Sequence, residues 1–153
     1  MMKSIIRDIN LAPSGEQKIQ WVRKFMPILS HLEQEFQKTR PLDGVKISLS
    51  IHLEAKTAYL SKVLAAAGAQ MAVTGSNPLS TQDDVAAALA ASGIDVYACY
   101  GVKPGEYQMH IDRTLDFGPQ IIIDDGGDLV HALHTRKQHL LGGVYGGCEE
   151  TTT

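Results

Sequence analysis

Apolar positions change their period once along the chain. Up to about residue 40 they recur at helical spacing, with Ile19, Val22, Phe25, Met26 and Leu29 on one stripe. Pro13-Ser14-Gly15-Glu16 reads as the start of that helix. Pro27 falls inside the pattern and predicts a kink or break, because proline lacks an amide donor and clashes with the preceding turn. A second helical piece, from Ile28 to Lys38, ends before Arg40-Pro41, since a residue preceding proline disfavours the helical region.

After Gly44 short apolar runs alternate with helical stretches. Strands are predicted over 45–51, 70–74, 94–99 and 120–123, and helices over 55–67, 81–92, 104–117 and 129–141, each helix stopped by a glycine. Strand starts thus recur every 25 residues or so, the length a strand–helix crossover unit needs. Runs such as YACY and IIID lack polar alternation, as strands covered on both faces do. The expected fold is α/β: a doubly wound, mostly parallel sheet of Rossmann-like or flavodoxin-like kind. An N-terminal helical segment, 1–43, precedes an α/β core, 44–153, within one domain.

Composition excludes several function classes. At 153 residues with 44% apolar and 20% charged positions, the chain can bury a real core. Fourteen basic against seventeen acidic residues give −3, and no basic run occurs, so a nucleic-acid partner is not expected. No apolar run reaches the roughly 18 residues of a membrane span, and the N-terminus has no secretory core. Cys99 and Cys148 form no CxxC pair. A cysteine zinc site or disulfide framework is excluded, and a reducing cytoplasm is the expected setting.

In doubly wound sheets ligands bind beyond the carboxyl ends of the strands. The residues there are His52, Gly75-Ser76-Asn77, Tyr100-Gly101 and the run Asp124-Asp125-Gly126-Gly127-Asp128. Two adjacent carboxylates at a strand end offer one group to the crevice, where a raised pKa would suit acid/base work. The competing reading makes Asp128 a helix cap and the Asp pair a solvated turn. His52 taken alone reads first as a hydrogen-bonded structural histidine. His131 and His134 lie three apart on one helix, but no third ligand follows at a convincing spacing, so no metal site is expected. Ser80 and Asp83 fit a capping box, which leaves Asn77, Thr81 and Gln82 near a helix start where a polar ligand could sit. Neither GxGxxG nor GxxxxGK[ST] occurs.

Four stretches, DINLAPSG, SNPLSTQDDVAAAL, IIIDDGGDLVHALHT and GGCEETTT, together resemble the adenosylhomocysteinase (S-adenosyl-L-homocysteine hydrolase) family, in the family's order and from about residue 8 to 153. The resemblance implies the amino-terminal part of the substrate-binding domain, without the NAD-binding domain. It implies a reaction in which NAD oxidises the ribose 3′-hydroxyl, homocysteine leaves from the 5′ carbon, and water replaces it. On the matching positions it implies His52 near the leaving group, Asp125 as acid/base, and Glu150 on the ribose hydroxyls. Asn77, Ser80 and Gln82 match a polar substrate-side loop, and Thr151, Thr152 and Thr153 match a run that contacts the nicotinamide end. NAD is therefore the implied cofactor of the full-length enzyme, which is oligomeric in this family, but tight binding to this chain is not expected.

The chain departs from the pattern after the histidine. Many family members read HMTxET, whereas here the run is His52-Leu53-Glu54-Ala55-Lys56-Thr57. The threonine and glutamate that match the adenine edge are replaced by Glu54 and Lys56. An acceptor stands where a donor is usual, and a donor where an acceptor is. The inverted pair complements hypoxanthine, whose N1–H donates and whose position-6 carbonyl accepts, and so suggests S-inosyl-L-homocysteine. A surface Glu54–Lys56 pair, or a register in which Thr57 supplies the hydroxyl, is the competing reading. Two other functions stay open: a non-catalytic nucleoside-binding or assembly module, and a phosphoacceptor receiver. The receiver is disfavoured because its acidic pair would follow the first strand rather than the fourth.

Overall fold

The computed structural model describes residues 4–150. Helix α1 (Ala12–Phe25) and helix α2 (Pro27–Thr39) are separated at Met26, so Pro27 breaks the helical segment and begins the next piece at its first position. Next come β1 (Lys46–Ile51), α3 (Ala55–Ala66), β2 (Gln70–Gly75), α4 (Asp83–Ala91), β3 (Asp95–Tyr97), α5 (Pro104–Asp116), β4 (Ile121–Asp125), α6 (Asp128–Thr135) and β5 (Gly146–Glu150). All strand pairs are parallel and the sheet order is β3-β2-β1-β4-β5. The chain winds outward from β1 through β2 to β3, then returns across the sheet to β4 and β5. The reversal lies between β1 and β4, where the crevice of an α/β sheet opens.

Alternation along β1 divides the two faces. Ile47 and Leu49 enter the larger core with Ile19, Val22, Ala58, Tyr59, Val85 and Leu89 from α1, α3 and α4. Ser48 faces the other way and donates to the Thr114 carbonyl of α5 at 2.6 Å. There Ile111, Leu115, Ile122, Leu129 and Leu133 form the second core beneath α5 and α6.

Two expectations are corrected and one strand is added. The helix predicted to run from 129 to 141 stops at Thr135, because the amides of Arg136 and Lys137 both donate to the Ala132 carbonyl and end the ladder. Residues 138–143 continue as a 3₁₀ segment that brings Leu140 and Leu141 onto the second core. A fifth strand appears at 146–150, where the sequence offers no apolar run. The predicted third strand shortens to Asp95–Tyr97.

Gly15 is where α1 meets α4. A Cβ there would lie 1.9 Å from the Asp84 carbonyl oxygen. Around that contact Ser14 donates to the Asp84 carboxylate at 2.9 Å, and Lys18 pairs with it at 2.8 Å. Alanine favours an exposed helix interior over glycine by up to about 1 kcal/mol. The clash is with backbone, which cannot swing aside, so overpacking wins. Gly15→Ala is expected to lower stability by about 1–3 kcal/mol, read as a lower urea midpoint with unchanged slope; an equal or higher midpoint contradicts the close contact.

Candidate active site

The parallel sheet brings the carboxyl ends of β1, β2 and β4 to one edge. His52 comes directly after β1, Ser76 and Asn77 after β2, and Asp125 is the last residue of β4. The acidic pair belongs to the strand rather than lying beyond it. Gly126 and Gly127 both take positive φ, 80° and 75°, and so turn the chain directly into α6.

The two carboxylates have separate tasks. Asp124 is fully buried and accepts from the amides of Asp125 and Val130, at 3.1 and 2.9 Å, which secures the start of α6. The expected cap, Asp128, does not cap: Gly127 occupies that position, and the Asp128 carboxylate accepts the Tyr107 hydroxyl at 2.6 Å. Nor is the pair a solvated turn, since Asp125 is only 5% exposed. Its Oδ2 accepts from Ser76 Oγ at 2.8 Å and lies 3.6 Å from His52 Nε2. The other imidazole nitrogen, Nδ1, is 2.5 Å from Ser80 Oγ.

Burial pushes the Asp124 carboxyl up to about 6, against its backbone donors. The carboxyl so raised is a structural one, bonded to the start of α6. A group whose folded pKa is raised contributes stability below its unfolded value of 3.8 and loses it as pH climbs through about 6. Two units or so correspond to about 3 kcal/mol. Relative to Asp124→Asn, which cannot ionise, the parent is expected to lose about that much between pH ~3.5 and ~7. Urea unfolding of both proteins across that range checks it; parallel stability curves contradict it.

Tyr107, on the inward stripe of α5 with Ile111, fastens the edge from beneath. Its hydroxyl lies within hydrogen-bonding distance of the Ser76 carbonyl, 2.9 Å, as well as of Asp128. Burial and the Asp128 carboxylate push that hydroxyl far up, so it stays a donor. Local sequence pattern assigns no role to Ser76 or Tyr107; a phenol on a buried helical stripe is the signal that points to it.

The remaining candidates divide between two places. Glu150 pairs in register with Asp125 on β5 and is exposed beside the crevice. Asn77 is exposed, and its Oδ1 accepts the Leu79 amide at 2.9 Å, an Asx turn. Ser80 and Asp83 do not form the expected capping box: α4 starts at Asp83 with Gln82 as its cap, and Ser80 is turned toward His52. Glu54, Lys56 and Gln82 line a different hollow, a groove of about 680 Å³ that also includes Lys18 and Trp21. There Lys18 donates to Gln82 Oε1 at 3.0 Å. Glu54 caps α3, its Oε1 accepting the amides of Lys56 and Thr57 at 3.0 and 3.1 Å. Lys56 is exposed, whereas Thr57 is buried in α3. Thr151, Thr152 and Thr153 lie outside the described residues. Among the described residues no group of three His, Cys, Asp or Glu converges as on a metal.

A family model described as S-adenosyl-L-homocysteine hydrolase matches residues 3–150. The chain belongs to the S-adenosyl-L-homocysteine hydrolase family. It is 51% identical over 148 residues to the S-inosyl-L-homocysteine hydrolase of Methanocaldococcus jannaschii, covering 97% of this chain and 36% of that protein. It is 50% identical over 148 residues to the adenosylhomocysteinase of Pyrococcus abyssi, covering 97% and 35%. A third relative, the S-inosyl-L-homocysteine hydrolase of Methanosarcina mazei, is 52% identical over 144 residues, 94% of this chain and 35% of that protein. The chain thus spans about 36% of the length of the curated relatives it matches. Family members of both names stand at nearly equal identity, so overall likeness does not choose between the two bases.

Proposed function

We propose that this chain supplies one wall of the substrate site of an enzyme that reversibly hydrolyses a nucleosyl-homocysteine to the nucleoside and homocysteine. The observation that carries the reading is the facing pair at the switch point, His52 Nε2 opposite Asp125 Oδ2 at 3.6 Å. A half-exposed imidazole opposite a nearly buried carboxylate can move a proton to and from a ligand in the crevice. Glu150, beside Asp125 in register, would accept from two vicinal ribose hydroxyls. Asn77 borders the same edge. Glu54, Lys56 and Gln82 would meet the base in their groove, two to four residues along the chain from His52 for the first two.

In this reading NAD is the cofactor, and it supplies a reversible oxidation at the ribose when bound. The described residues do not fit its dinucleotide. No strand–helix turn carries the GxGxxG pattern, and the start of α3, where a pyrophosphate would sit after the first strand, is already filled by the Glu54 carboxylate. The proton-handling groups of this chain act on the substrate and do not depend on where the dinucleotide is held. A cytoplasmic, homo-oligomeric enzyme belongs to the same reading, supported for the compartment by two unpaired cysteines.

The test is thiol release. The active enzyme is given NAD with S-adenosyl- or S-inosyl-L-homocysteine, and free homocysteine is measured with a thiol reagent. Release supports the reading. Nucleoside binding without thiol release replaces it with a non-catalytic binding module.

A further inference from the structure

We propose that Ser80 is a positioning residue that fixes the tautomer of His52, rather than a group that contacts substrate. Ser80 Oγ lies 2.5 Å from His52 Nδ1 and 3.0 Å from the Asn77 carbonyl oxygen. A hydroxyl has one hydrogen and a carbonyl only accepts. In the proposed arrangement the hydrogen goes to Asn77, and the serine oxygen presents a lone pair to Nδ1, which then carries the ring hydrogen and donates it.

The acceptor behind Ser80 is itself held. The Asn77 carbonyl also takes the Ser80 amide and the Thr81 hydroxyl, each at 3.1 Å, and the Asn77 side chain closes the turn on the Leu79 amide. The backbone of Gln82, two residues on, donates to the Leu53 carbonyl at 2.9 Å, so the turn is tied to the segment that carries His52. Ring and serine are thus anchored to one another by backbone as well as by their own contact.

The consequence falls on Nε2. This nitrogen faces Asp125, whose Oδ2 is already oriented by Ser76. With a proton on Nε2 the ring is an imidazolium, both of its N–H groups directed. When that proton leaves, the neutral ring keeps its Nδ1–H, and Nε2 is the free base on the crevice side. Proton gain and loss then need no ring flip. What that proton does for a substrate rests on the hydrolase reading; the tautomer itself does not.

The experiment is long-range ¹H–¹⁵N correlation on this chain with ¹⁵N-labelled histidine, under conditions where His52 is neutral. The expected spectrum puts Nδ1 at the pyrrole-like shift and Nε2 at the pyridine-like shift. Ser80→Ala is expected to move both nitrogens toward the averaged values of a freely exchanging ring, and Ser80→Thr, which restores a hydroxyl, to return them. A pyrrole-like Nε2 in the parent overturns the proposal, as do shifts unchanged in Ser80→Ala. Should the alanine variant not fold, the parent spectrum decides alone. Homocysteine release by the active enzyme is a separate readout, so failure of the hydrolase reading leaves the tautomer result standing, and the reverse.

Discussion

Asp125→Asn in the active enzyme is expected to lower kcat by about 10²- to 10⁴-fold, the usual worth of a positioned general acid or base, with KM changed little. Asparagine keeps the side chain's size, and its carbonyl oxygen can still accept from Ser76 Oγ, which in the parent lies 2.8 Å from Asp125 Oδ2. The loss is therefore of proton-accepting capacity opposite His52, 3.6 Å away, rather than of the fold. A group used only when the proton moves acts in the transition state, which is why the effect belongs in kcat. The neighbouring Asp124→Asn variant is the comparison, since the carboxylate it removes accepts only backbone amides, those of Asp125 and Val130, and answers in stability. If Asp125→Asn lowers kcat by less than about tenfold, or raises KM instead, Asp125 holds substrate or structure and does not transfer a proton.

The parts of this molecule that the sequence makes legible are those written in local pattern. Strands β1 to β4 are short stretches rich in strand-forming residues, and helices α1 to α5 carry stripes that glycine or proline ends. The Pro27 break is readable because proline acts on its own preceding turn. Strand β5 is not readable: Gly146-Gly147-Cys148-Glu149-Glu150 is exposed throughout and is a strand because β4 supplies the pairing, from Ile121 opposite Gly146 to Asp125 opposite Glu150. The site divides in the same way. His52 and Asp125 are found from the residues at the carboxyl end of each strand. The bonds that aim them are not, because they join residues far apart in the chain, Ser76 to Asp125 across 49 positions and Tyr107 to Ser76 across 31. Two local patterns also mislead. Ser80 and Asp83 have the spacing of a capping box, but the serine hydroxyl is taken by Asn77 and His52. Glutamate is not a favoured cap residue, yet Glu54 caps α3 because its extended backbone, φ −129° and ψ −177°, folds the carboxylate back over the first amides.

That capping role sharpens the prediction about the base. One oxygen of Glu54 is committed to α3, so only Oε2 is left to accept from a hypoxanthine N1–H. Lys56, exposed on the first turn, can donate its ammonium to a position-6 carbonyl. Adenine would set a ring lone pair against the carboxylate and an amino group against the lysine. A buried opposed contact costs about 1–3 kcal/mol. Lysine at an open groove can swing into water, which discounts its share. The parent enzyme is therefore expected to favour S-inosyl- over S-adenosyl-L-homocysteine by about 10- to 100-fold in kcat/KM, roughly one to two multiples of 1.4 kcal/mol. The double change Glu54→Thr with Lys56→Glu is expected to reverse that preference. It is a clean exchange for the fold: threonine is a better cap than glutamate, and a glutamate in the first helical turn suits the positive end of the α3 dipole. Stability should hold or rise slightly while selectivity inverts, so lost activity toward both substrates would not be the expected result. An adenosyl preference in the parent that the exchange leaves unmoved would show that Glu54 only caps α3, that Lys56 only faces solvent, and that the base is read elsewhere.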